Sequence, residues 1–214
     1  NNDVLFFNIL NKDDKKIASF YLDPYSRPES KRGGAWMDEC LNKNNIGRNI
    51  LPVAYLVCNQ TPPSKDKPSL MSFDEVQTLF HEFGHGLQHM LTTVNLPQAA
   101  GINNVEWDAV ELPSQFMENW CFHKNTLLNI AKHYETGESL SDENFEKLVK
   151  NRTFNCGMAT LRQLHFAITD LRLHSNINSN QGKNSDEIRK EIAIQTTVID
   201  PIQEDKFLCC FSHI

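Results

Sequence analysis

Short apolar runs separated by polar turns fill the first third of the chain, before the pattern changes to a helical spacing. Runs at 4–9 and 17–22 flank a charged turn, which predicts a β-hairpin. The run at 51–58 predicts a third strand. Residues 24–34 are rich in turn formers and residues 37–49 are polar, so we predict loop and a short helix there. The first third is therefore predicted to form a small sheet.

From Ser72 onward, apolar residues recur every three or four positions, which predicts an amphipathic helix that ends near Leu91. Ser72 and Glu75 fit a capping box at its start. Pro97 and Gly101 then interrupt the chain. The recurring apolar residues are Phe73, Val76, Leu79, Phe80, Phe83, Leu87, Met90 and Leu91.

A second periodic stretch, from about Val105 to Leu128, predicts a returning helix antiparallel to the first, with Pro113 as a local distortion. Phe116 and Trp120 lie four residues apart and are predicted to pack against the first helix. For Trp107 and Phe122, too, core packing is favoured over a substrate-binding role. Further helices are predicted at 127–134, 141–152, 156–174 and 185–197, with a polar loop at 176–185.

These elements predict a mainly α fold with a small β-sheet and no evident domain boundary. We assign a β region to residues 1–71 and a helical region to residues 72–214. The chain starts with Asn1, Asn2 and Asp3, which resemble neither a signal peptide nor a methionine start, so we expect a fragment of a larger protein.

Composition and charge argue against several classes of protein. The 40% hydrophobic and 22% charged residues are ordinary globular values. The net charge is −6 and no basic block is present, so nucleic acid is an unexpected partner. The apolar runs are too short to cross a membrane. Six cysteines without a CxxC pair predict reduced thiols, and we expect an intracellular monomer, cytoplasmic or organellar and not secreted.

The best predicted helix carries the sequence His-Glu-Phe-Gly-His at 81–85. Residues four apart lie on one helical face, so His81 and His85 can reach the same zinc ion, while Glu82 between them can reach a water activated by that metal. The alternative of two ordinary histidines is weaker, because the apolar face already supplies the core. Helix context makes the motif a candidate catalytic zinc site.

Catalytic zinc needs a third protein ligand. His85 lies six residues before the predicted helix end, roughly 9 Å at 1.5 Å per residue, so an antiparallel helix should face it as far into its own length. Counted from Val105, that residue is Glu111. Asp108 and Glu118 share its predicted face, and we choose Asp108 as the carboxylate that orients a ligand histidine. His89 is rejected as a ligand because it lies too far along the helix axis from His81.

With these residues in place, the chain resembles the M3 family of zinc oligopeptidases, and within it the oligopeptidase A branch. The resemblance implies a zincin-like, neurolysin-like catalytic core, one zinc ion bound by His81, His85 and Glu111, Glu82 as general base, and short unstructured peptides as substrates. Nearly the whole of the first 125 residues is covered. The matching blocks are 20–23, 31–37, 52–59, 73–76, 81–85 and 106–120.

Two departures from the family pattern are visible. Many relatives have histidine where this chain has Gln88. Residues 210–214 resemble the start of a segment that continues in the family into a glycine- and tyrosine-rich substrate loop, so His213 is a candidate substrate-binding residue. The resemblance implies that this loop and an N-terminal helical part are missing. We therefore expect the fragment to be weakly active or inactive.

Two other functions remain as alternatives. In the first, zinc only ties two helices together, which would require four protein ligands, often cysteines. In the second, the chain is an aminopeptidase in which Glu106 or Asp108 binds the free amine of the substrate. The absence of cysteine near the motif argues against the first alternative, and the family resemblance argues against the second.

Overall fold

The computed structural model describes residues 2–175 and 182–210, which form two compact units. Residues 2–141 contain a β-sheet and the helix with the two motif histidines. The second unit, described over residues 142–175 and 182–210, contains three α-helices. Helices outnumber strands among the described residues, as expected for a mainly α chain with a small sheet.

The sheet has four strands in the order β1, β2, β4, β3. β1 and β2 form the predicted hairpin, β4 runs parallel to β2, and β3 pairs antiparallel with β4. The predicted hairpin and the strand at 51–58 are confirmed. The strands are β1 (Leu5–Leu10), β2 (Lys16–Tyr25), β3 (Trp36–Leu41) and β4 (Val53–Gln60).

The prediction of loop and a short helix at 37–49 is wrong for β3. The longer segment 37–49 is polar, but only Asp38 and Glu39 are polar among the six residues of β3, which pair with β4, and Met37 packs against the core under the sheet. The polar composition of residues 37–49 as a whole therefore conceals a short apolar run that forms a strand by pairing with β4.

The first unit has helices α1 (Phe73–Met90), α2 (Leu112–Glu118) and α3 (Lys124–Ile130), and the second has α4 (Asp142–Asn151), α5 (Cys156–Ser175) and α6 (Ser185–Thr196). Short 3₁₀ turns occupy 97–99, 119–122 and 207–210. The predictions for α1 and for the later helices are confirmed to within a few residues. The capping box is also present, with the Ser72 side chain accepting from the Glu75 backbone N–H and the Glu75 side chain accepting from that of Ser72.

The single helix predicted from Val105 to Leu128 is wrong. Residues 107–111 form turns, and the first α-helix after them, α2, begins only at Leu112 and ends at Glu118. Pro113 lies in the first turn of α2 and does not distort a helix, because no backbone N–H is needed there.

Packing of Phe116 and Trp120 against the first helix is also a wrong prediction. Phe116 is 61% exposed, Trp120 40% and Trp107 89%. α2 turns Ser114 toward α1, which places Phe116 roughly 200° away around the helix. Phe122 alone follows the prediction, with its ring 5.2 Å from that of Phe73.

The core of the first unit lies between the sheet and α1. Ala18, Phe20, Ala54, Leu56 and Met90 are its buried members. α1 lies close to the sheet at Gly86, where a Cβ atom would come within 2.9 Å of the Leu56 side chain. This contact fixes which face of α1 remains for the histidines.

In the second unit, α5 and α6 pack on each other around Phe166, Ile188 and Ile192. The Phe207 ring stacks on Phe166, with ring centroids 4.5 Å apart. Arg189 is almost fully buried and donates to Asp205 over 2.9 Å.

The loop after β2 is held by a partly buried ion pair that should make the fold sensitive to acid. Arg27 donates to both carboxylate oxygens of Asp23 (2.8 and 2.6 Å), and the Lys31 ammonium lies 3.2 Å from one of them. Hydrogen bonding from Arg27, reinforced by Lys31, lowers the pKa of Asp23 below its ordinary 3.8. The carboxylate therefore stabilises the fold above that value, and its contribution is lost as the pH falls through the lower folded-state pKa.

We expect Asp23→Asn to reduce the free energy of unfolding by about 1–3 kcal/mol at pH 7, because two donors lose a charged acceptor. The difference from wild type should shrink below pH 3.8. Urea unfolding at pH 7 and at pH 3 measures both quantities. Asp13→Asn, in the exposed hairpin turn, is the control and should change neither. An equal loss of unfolding free energy at pH 7 and at pH 3 would contradict the stabilising role of the ionised Asp23 carboxylate.

Candidate metal centre

Three side chains predicted from the sequence lie together between α1 and α2. His81 and His85 stand one turn apart on α1, and Glu111 immediately precedes α2. Glu111 Oε2 is 3.1 Å from His81 Nε2 and 3.2 Å from His85 Nε2. Among the residues that the structure describes, this is the one group of three or more His, Cys, Asp or Glu residues whose ligand atoms converge, all within 4.8 Å of one another.

The spacing of these atoms fits a single zinc ion. Zinc binds histidine nitrogen and carboxylate oxygen at about 2.0–2.2 Å in a tetrahedral arrangement, which separates its ligand atoms by about 3.3–3.5 Å. The two measured nitrogen to oxygen distances lie within a few tenths of an ångström of that range. Two imidazoles and one carboxylate are also a donor set typical of catalytic zinc.

Glu111 reaches this position because α1 and α2 approach to backbone contact. A Cβ atom on Gly84 would lie 2.5 Å from Ser114 Cα and 2.6 Å from the Pro113 carbonyl oxygen. Ser114 is fully buried, and its hydroxyl lies 2.7 Å from Glu111 Oε2. The glycine therefore allows the approach and the serine orients the carboxylate. Sequence reasoning missed both, although a glycine inside a helix is an unfavourable choice that indicates a packing role.

A second carboxylate holds His81 from behind. Glu118 Oε1 lies 2.7 Å from His81 Nδ1, and the Gln77 side-chain amide donates to Glu118 Oε2 over 2.6 Å. A carboxylate at Nδ1 fixes the ring tautomer that leaves Nε2 for a metal. The prediction of Asp108 for this role is not supported, because Asp108 is exposed in the turn before α2. α2 starts later than predicted and thereby brings Glu118 to the histidine.

Glu82 is buried next to this group, with 6% of its surface exposed. Burial raises the pKa of its carboxyl to about 7, a rise to which the Glu111 charge adds and which His81 opposes. Glu82 lines a polar cavity of about 380 Å³ beside His81. A carboxyl that titrates near neutral pH can both accept and release a proton.

Two other histidines, His89 and His213, have a stated role in the sequence analysis. His89 is fully buried, its Nε2 lies 3.0 Å from the Leu41 carbonyl oxygen, and it is not in the metal group, in agreement with its rejection as a ligand. Gly101 packs on its ring, where a Cβ atom would come within 2.4 Å of Nδ1. His213, predicted to bind substrate, lies outside the described residues.

Comparison with known proteins shows similarity along the whole chain. The model of peptidase family M3 matches residues 1–214. The chain is 55% identical to an organellar oligopeptidase A, chloroplastic/mitochondrial, of Arabidopsis thaliana, over 100% of this chain and 28% of that protein. It is 48% identical to oligopeptidase A of Haemophilus influenzae, over 99% of this chain and 31% of that protein. It thus spans less than a third of the length of these relatives.

Gly84→Ala should weaken metal binding without changing a ligand. The added methyl group meets backbone atoms of Pro113 and Ser114, so α2 must move and carry Glu111 away from the histidines. We expect the zinc affinity, measured by competition with a chromophoric chelator, to fall at least tenfold. Gly157→Ala is the matched control, since nothing lies within 4 Å of a Cβ atom at that helical position. Wild-type affinity in Gly84→Ala would show that the close approach is not required.

Glu118→Gln should lower zinc affinity about 10- to 100-fold, the usual effect of losing a carboxylate behind a ligand histidine. Glutamine keeps the shape of the side chain and removes only its charge, so the fold should persist by circular dichroism. Asp108→Asn, the carboxylate preferred from the sequence, should bind zinc like wild type. Weaker zinc binding by Asp108→Asn, with wild-type binding by Glu118→Gln, would instead support Asp108 as the carboxylate that orients the ligand histidine.

Proposed function

The chain belongs to peptidase family M3, and from that premise we propose that it carries the core of a zinc-dependent endopeptidase that hydrolyses short oligopeptides. The observation that supports this most directly is the convergence of His81, His85 and Glu111 beside the buried Glu82. Relatives along the whole chain are named oligopeptidase A, which fits peptides as the substrate class.

His81, His85 and Glu111 are the residues that would hold one zinc ion per chain. Bound there, zinc would polarise the scissile carbonyl group and lower the pKa of a neighbouring water molecule. Ser114 and Glu118 hold two of the three ligands in the orientation that they need for this task. The protein thus supplies a fixed donor set with one position left for the reaction.

Glu82 is proposed as the general base. It takes a proton from the attacking water as the oxygen adds to the carbonyl carbon, and it later passes that proton to the nitrogen of the amine as the C–N bond breaks. Its burial and its raised pKa suit both steps, because the carboxyl can change protonation state near neutral pH. No covalent intermediate with the protein is required.

The alternative of a purely structural zinc site is less well supported. Structural sites generally use four protein ligands, and the group in the described residues has three.

The names of relatives include chloroplastic/mitochondrial and cytosolic forms, which supports the proposal of an intracellular location. In the described part of the chain, no helix has the length and apolar character needed to span a membrane. A monomer remains our proposal for the oligomeric state.

Glu82→Gln should abolish hydrolysis and leave metal binding intact. We expect cleavage of an internally quenched octapeptide to fall at least 10²-fold, the usual contribution of a general base, while zinc content stays near one per chain. Chelator-treated wild type sets the baseline. Turnover above this baseline that Glu82→Gln retains, or loss of zinc from that variant, would contradict the proposal.

Glu106→Gln is the control for the aminopeptidase alternative. Glu106 is exposed in the turn before α2 and was considered as an anchor for a substrate amine. We expect this variant to cleave the octapeptide like wild type, and N-acetylation of the peptide to have no effect. Loss of cleavage on acetylation would favour the aminopeptidase.

A further inference from the structure

A polar cavity of about 380 Å³ extends from the candidate metal centre toward the N-terminus of α1. Asp74, Thr78 and Glu82 follow one another at four-residue steps and therefore share one face of α1. The Glu118 carboxylate of α2 faces them. The complete lining is Asp74, Gln77, Thr78, His81, Glu82 and Glu118.

The lining is acidic, with three carboxylates and neither lysine nor arginine. Glu118 is occupied by His81 and Gln77. Glu82 is more than nine-tenths buried, and within the described residues it has no hydrogen-bond partner, so its carboxyl is available to whatever enters the cavity. Asp74 is exposed, and its carboxylate also has no hydrogen bond or ion pair within the described chain, so it too is available to a ligand.

The separation of these groups defines where a substrate side chain would lie. Asp74 precedes His81 by seven residues, which is about 10.5 Å along the helix axis. An extended peptide advances about 3.3 Å per residue, so for a peptide that lies along α1, Asp74 would be opposite a position about three residues from the metal centre. At that distance its charge can interact with a substrate side chain without disturbing the scissile bond.

Resting on the proposed function, we propose that this cavity is a subsite for a lysine or arginine side chain of the peptide, and that Asp74 is the residue that selects it. The carboxylate provides the charge, Thr78 and Gln77 add polar contacts, and the cavity has room for a long cationic side chain. Asp74 also lies in the first turn of α1, where an acidic residue stabilises the helix dipole. That role would affect stability and would not distinguish one peptide from another.

Peptide binding to the metal-free chain tests the subsite without requiring turnover. The probes are fluorescein-labelled octapeptides with blocked termini that carry Lys, Gln or Glu at one position, moved in turn along the peptide, and the readout is fluorescence anisotropy at low salt with EDTA. At one position we expect the Lys peptide to bind about five-fold tighter than the Gln peptide, the size of effect expected for an exposed ion pair. Physiological salt should weaken that preference.

Asp74→Asn should remove the preference for Lys, and Asp74→Lys should reverse it in favour of the Glu peptide. Glu143→Gln, which changes a first-turn acid of α4, is the matched control and should retain the wild-type preference. Equal binding of all three peptides to wild type, or an unchanged preference in Asp74→Asn, would overturn the proposal. Because the readout is binding, the absence of an Asp74-dependent preference refutes only the subsite, whereas zinc-dependent turnover that Glu82→Gln retains refutes only the proposed function.

Discussion

The backbone contact between α1 and α2 at Gly84 is the constraint on which the site depends. Glycine in a helix costs about 1 kcal/mol relative to alanine, so its presence here requires a compensating contact. The compensation is the approach of Ser114 and Pro113 to distances that no side chain would allow. Gly86 has the same function on the opposite side, where α1 lies on Leu56 of the sheet. α1 is thus held between two surfaces, and the histidines project from the face that remains.

This arrangement also explains the electrostatics of the centre. Glu82, Glu111 and Glu118 are brought near one another in a partly buried region, where like charges repel. The pKa of Glu82 rises mainly because burial disfavours its charged form. Glu111 and Glu118 instead contact imidazole nitrogens. A divalent cation between these groups would offset the remaining repulsion, so the acidic cluster and the metal site are two consequences of one packing geometry.

The local features of this site could be predicted from the sequence, and the long-range features could not. The four-residue spacing of His81 and His85 and the cap at Ser72 are properties of one helix, and the structure contains both. The helix-length argument that points to Glu111 assumes a helix starting at Val105, and the chain before Glu111 forms turns instead. Glu111 does lie with His81 and His85, but the chain does not reach it along the predicted helix. β3 depends on a pairing partner, and the exposure of Phe116 depends on which face of α2 meets α1. Neither can be determined from local periodicity.

α2 connects the stability of the fold to its chemistry. It is only seven residues long, and helices of that length are unstable in isolation. Its apolar side chains Leu112 and Phe116 point outward, whereas Ser114 and Glu118 contact the centre and Met117 lines an apolar pocket with Phe80 and Phe83 of α1. Its attachment to α1 therefore combines polar contacts, the Gly84 approach and this one half-buried apolar side chain. A metal bound between His81, His85 and Glu111 would bind the folded unit in preference to the unfolded chain and would stabilise this attachment by linkage. The three proposed metal ligands would therefore also help to keep α2 in place.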